Sequence, residues 1–63
     1  MSWQRMYAMG YIASYENKER NEIILVGNIN NKIKVTKNHQ VLGEFDSQPE
    51  AKEIVMAYIK ENP

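Results

Sequence analysis

The chain contains no cysteine, one histidine, one tryptophan, one phenylalanine, two prolines and three glycines. Each shortage removes a class of explanation. Without cysteine there is no disulfide to brace a small fold, no thiolate nucleophile and no cysteine-based zinc site. The single histidine, His39, sits in a turn signal, Asn38-His39, where an exposed turn residue is its ordinary role. The glycines do not gather into a phosphate-cradling loop, and no HExxH, GxSxG or CxxC pattern occurs. An excess of charge of one sign is lacking too, since eight Lys plus Arg balance eight Asp plus Glu. The whole molecule therefore has no long-range field to draw it onto nucleic acid. Long hydrophobic runs are also missing. The opening MSWQRMYAMGYIASY has neither a continuous apolar signal-peptide region nor a stretch long enough to cross a bilayer, so the expectation is a cytoplasmic protein that makes no use of a membrane.

The acids present do not suggest catalysis. Glu16, Glu19 and Glu22 are spaced by three but share a polar loop with Lys18 and Arg20, and Glu44 and Asp46 stand near a helix start, where the dipole already favours a negative charge. Catalysis needs proton-trading, attacking or metal-holding groups in convergent geometry. The sequence predicts no enzyme, no cofactor, no metal and no small-molecule substrate.

What is present is pattern. With 63 residues, one domain spans 1–63, near the size where a single core barely offsets the entropy of ordering the backbone. Ser47 and Glu50 form a capping-box signature, Pro49 suits a first helical turn, and Ala51, Ile54, Val55, Tyr58 and Ile59 recur on one face, so a helix is predicted over 47–62. Upstream, KIKVTK (Lys32 to Lys37) alternates, with Ile33 and Val35 inward and Lys32, Lys34 and Thr36 outward. QVLGEF (Gln40 to Phe45) returns after Asn38-His39, and EIILVGNI (Glu22 to Ile29) precedes the turn signal Asn30-Asn31. These segments give a three-stranded meander over 22–45. In residues 1–15, Tyr7, Met9, Tyr11, Ala13 and Tyr15 alternate as in a strand, while Trp3, Tyr7, Gly10, Tyr11 and Ser14 also fit a short helix; the strand is preferred. The predicted fold is α+β, an antiparallel meander of three or four strands packed on one C-terminal helix.

Two binding features emerge. Tyr7, Met9, Tyr11 and Tyr15 would make an aromatic and methionine row, and EIILVGNI carries apolar groups on both faces: Ile23, Leu25 and Ile29 on one, Ile24 and Val26 on the other. One helix covers one face only. A homodimer or protein partner is therefore expected to cover the rest, with Tyr7, Met9, Tyr11, Tyr15, Ile24 and Val26 as the interface. The second feature is basic: Lys32, Lys34 and Lys37, with Arg20 on the nearby loop, would carry positive charge, while Glu50, Glu53 and Glu61 lie on the helix. Such a row can contact phosphates or keep a sheet soluble.

The segment LGEFDSQPEA, Leu42 to Ala51, resembles the end of the sheet and start of the helix in the plant ethylene-response-factor DNA-binding domain and, more loosely, in the arm-site-binding N-terminal domains of phage-type integrases. Leu42, Gly43, Phe45, Asp46, Ser47, Glu50 and Ala51 carry the likeness. The resemblance implies a three-stranded antiparallel sheet packed on a helix, with the sheet inserted into the major groove and Lys32, Lys34 and Lys37 as DNA contacts. Arg5, Arg20 and Trp3, however, all precede the matching strands. The same residues also have local roles: Gly43 for close approach of strand and helix, Phe45 for core, Ala51 for tight packing. The preferred expectation is a non-catalytic protein-interaction module, of the kind a phage or mobile element uses as an accessory or inhibitor, and the alternative is a sheet-based DNA-binding domain.

Overall fold

The structure, a computed structural model, describes residues 3–63. Met1 and Ser2, part of the expected first element, lie outside the described residues. The elements are β1 (Gln4–Met6), β2 (Ala13–Asn17), β3 (Glu22–Ile29), β4 (Lys32–Lys37), β5 (Gln40–Phe45) and α1 (Gln48–Glu61). All strands pair antiparallel with their chain neighbours in the order β1-β2-β3-β4-β5. The α+β meander with its closing helix is as expected, but the sheet has five strands rather than three or four.

The extra strand comes from the first segment, which is neither one strand nor a helix. Gly10 takes φ +86°, a conformation open to glycine that breaks the alternation there, and the Tyr11 N–H closes a turn onto Ala8 O at 3.1 Å. Polar β1 precedes this loop and β2 follows it.

The turns explain the rest of the sheet. Asn30 and Asn31 have φ 52° and 64°, Asn38 and His39 have φ 50° and 71°. Both central residues left-handed is the geometry whose twist matches paired strands, and asparagine adopts it at the least cost after glycine. The first turn fixes the pairing Ile29 with Lys32, and hence Val26 with Val35. Ile24, Val26, Ile33 and Val35 thereby share one face, where Ala51 and Val55 of α1 meet them to form the buried core. A bulge between Val35 and Thr36 then shifts the β4–β5 register.

Two details of the helix differ from expectation. Ser47 is the N-cap, but its hydroxyl makes no bond to a helix N–H; it donates instead to Glu50 Oε1 at 3.2 Å. Ile54 is exposed, because the seam against the sheet runs through Ala51 and Val55, with Tyr58 and Ile59 packed beside it. Gly43 makes room for Phe45 rather than for the helix: a Cβ there would lie 2.9 Å from Phe45 Cζ.

The helix starts just after β5, packs on β4 and β5, and in its last turn reaches Trp3. That ring meets Tyr58 edge-on with centroids 6.0 Å apart, and its indole N–H donates to Asn62 O at 2.7 Å. Packed on β4 and β5, the helix leaves a groove over β1 and β2 beside its first turns.

Candidate functional site

The alternation that buries Ile24 and Val26 sends Ile23, Leu25 and Ile29 of β3 to the other face, which no helix covers. Register adds Thr36 and Lys34 of β4 opposite Leu25 and Gly27, and Val41 of β5 opposite Thr36. Tyr11 joins them from the loop before β2. Its ring lies where a Gly27 side chain would stand, with Cδ1 3.1 Å from the site of a Cβ. Together Tyr11, Leu25, Ile29, Lys34, Thr36 and Val41 line a shallow depression of about 230 Å³. Tyr11, Ile23, Ile29 and Val41 each keep more than two fifths of their surface exposed.

The expected interface is thus redistributed. Ile24 and Val26 are 0% and 5% exposed and belong to the core beneath α1, because the two-residue turn places them beside inward Val35 and Ile33. The tyrosine and methionine row does not exist as a row. Tyr7 and Met9 project from the loop at 86% and 82% exposure, Tyr11 lies on the open face, and Tyr15 lies on the helix side, with the Arg5 guanidinium 5.8 Å from its ring centroid. The open-face set Ile23, Leu25, Ile29 and Val41 is what the sequence reading left out of its interface.

The lysines do not form one outward row either. Lys32 and Lys34, two positions apart, share the open face, but Lys37 is three from Lys34 and so falls on the helix side. There its ammonium stands 5.6 Å from the Tyr58 ring centroid and 3.5 Å from Glu22 Oε2. Lys32 donates to Asp46. That hydrogen bond and the paired charge raise the Lys32 pKa and lower that of Asp46. Arg20 pairs with Glu22 at 3.0 Å and reaches Asn62 Oδ1 at 3.2 Å; the bond to Glu22 raises its pKa. Lys34 stands across from Glu44. Three of the four expected phosphate contacts are thus engaged by carboxylates of the chain itself.

On the helix side, Glu22 gathers a polar knot. Its carboxylate accepts from the Arg20 Nε–H at 3.0 Å and from the Tyr58 hydroxyl at 3.0 and 3.1 Å. This knot, with Trp3 and Asn62 beside it, pins the helix end to the sheet.

Among the described residues no group of three or more His, Asp or Glu side chains is placed to hold a metal ion, and no helix is long and apolar enough to cross a membrane. No protein family, no curated protein and no solved structure was found to match the chain.

Proposed function

We propose that the protein is a small non-catalytic interaction module that associates with a second copy of itself through the open face of its sheet. The observation that carries this reading is an imbalance. Among the described residues six apolar side chains are buried, Ile24, Val26, Ile33, Val35, Ala51 and Val55, while Tyr11, Ile23, Leu25, Ile29 and Val41 lie on the uncovered face. Each square ångström of apolar surface removed from water stabilises by about 25 cal/mol, and a domain this small has little to spare.

Charge favours a second copy as the occupant. Lys32 and Lys34 on this face are offset by Glu16 and Glu44, which the register places on the same side. A face that carries both signs, with cations on β4 and acids on β2 and β5, suits the self-complementarity of a two-fold interface. A duplex nucleic acid calls instead for a surplus of cations.

Sedimentation equilibrium tests the reading. The wild-type chain is expected to sediment as two copies, and Leu25→Lys or Val41→Lys as one, with circular dichroism unchanged. A wild-type mass of one chain at micromolar concentration, or retention on duplex DNA lost in Lys32→Glu/Lys34→Glu, would overturn it.

A further inference from the structure

The groove beside the first turns of the helix lies on the opposite side of the sheet from the proposed association face. Its floor is apolar: Ile12, Ala13 and Tyr15 around β2, and Val26 of β3. Pro49 and Val55 form the helix wall. The groove is open to solvent and has a volume of about 510 Å³, within the range of sites that bind ligands. Two cations stand on its rims, Arg5 from β1 and Lys52 from α1, and no acidic side chain lines it. Arg5 is held over Tyr15 by its cation–π contact, 5.8 Å from the ring centroid, so its charge is fixed at the floor's edge.

We propose that this groove binds a short peptide segment in which acidic residues flank aliphatic ones. The argument is complementarity of two kinds. An apolar floor takes aliphatic side chains, and the two rim cations, one on the sheet and one on the helix with no acidic side chain lining the groove between them, take carboxylates. A fatty acid carries one carboxylate and meets one of the two cations, whereas a peptide with an acid on each side of its aliphatic residues meets both, which makes the peptide the better match.

The test is binding of purified protein to an array of short peptides in which Leu, Ile, Val or Phe residues lie between Asp or Glu residues, beside a matched array with Lys in place of each acid. Solution affinities follow by fluorescence anisotropy. The expected result is saturable binding to acidic peptides only, weakened about tenfold or more in Arg5→Glu/Lys52→Glu. Both residues are exposed, so this variant keeps the fold. Ala13→Phe, which fills the floor, should abolish binding, with circular dichroism reporting an intact sheet. Binding should survive in Leu25→Lys, which separates this site from the association face. Absence of binding to the acidic array, equal binding to the lysine array, affinity unchanged in the double variant, or displacement of the peptide by laurate at comparable concentration would each overturn the proposal.

Discussion

The Tyr58 hydroxyl donates to both oxygens of the Glu22 carboxylate, at 3.0 and 3.1 Å, and so ties the last turns of the helix to the start of β3. Burial by itself would raise the Glu22 pKa, but the hydrogen bonds from Arg20 and Tyr58 and the charges of Arg20 and Lys37 outweigh it, and Glu22 titrates below the usual glutamate range. A carboxyl whose folded pKa is depressed adds stability that is fully present above its unfolded value, about 4.3, and is lost as pH falls through the folded value. Denaturant midpoints measured from pH 6 down to pH 2 are expected to fall steeply for the wild type and more gently for Glu22→Gln. Tyr58→Phe, which removes one donor to a charged group, should cost about 1 to 3 kcal/mol at neutral pH. Equal pH slopes for wild type and Glu22→Gln would remove Glu22 from this role.

Asn17 sits across from Glu22 on β2 and is fully buried. Its Oδ1 accepts the Arg20 backbone N–H at 3.1 Å, which shapes the loop, while its Nδ2 makes no hydrogen bond. Asn17→Asp keeps the acceptor and adds a charge that burial and Glu22 both disfavour. The folded pKa of that new carboxyl is raised, so the variant should be most stable at low pH and lose stability as pH rises through that value, opposite to the wild-type trend. A variant with the wild-type pH profile would show that water reaches Asn17.

His39 holds φ 71° in its hairpin turn. A left-handed backbone costs an ordinary residue roughly 1–2 kcal/mol, while glycine adds entropy to the unfolded chain, so His39→Gly should stabilise by about 0.5 to 1 kcal/mol net. Thermal unfolding at fixed protein concentration reads this directly, and a fall in midpoint would mean that the imidazole contributes contacts the turn needs.

Gly27 leaves the space that the Tyr11 ring fills on the open face. Gly27→Ala pushes a half-exposed ring outward rather than compressing the core, so the folding stability of a single chain should change by less than about 1 kcal/mol. Association should weaken several-fold, because the ring that completes the face is displaced. Sedimentation across a dilution series separates the two effects.

Much of this architecture is legible in the residues. Alternation in KIKVTK, the paired turn asparagines and the apolar spacing after Ser47 specify three strands and a helix, because each is set by local chemistry. The correct core face is legible too: a two-residue turn at Asn30-Asn31 places Val26 beside Val35, and the alternation in KIKVTK points Val35 inward. Position three beyond Lys34 likewise puts Lys37 on the opposite side. What local pattern does not reveal is the fate of the first segment, where Tyr7, Met9 and Tyr11 alternate yet lie in a loop turned by Gly10. It also does not reveal the ion pairs that occupy Lys32 and Arg20, since Asp46 and Glu22 reach them through tertiary geometry, or the placement of the helix on β4 and β5 that leaves the groove open.

The hydrogen bond from Trp3 to Asn62 joins residues 59 positions apart, whereas every strand pairs with the one next to it in the chain. Hairpins closed by short loops forfeit little chain entropy, and this clasp closes the longest loop of all. Chain entropy therefore favours closing the hairpins before this clasp, and the clasp is the contact whose loss frees the most chain.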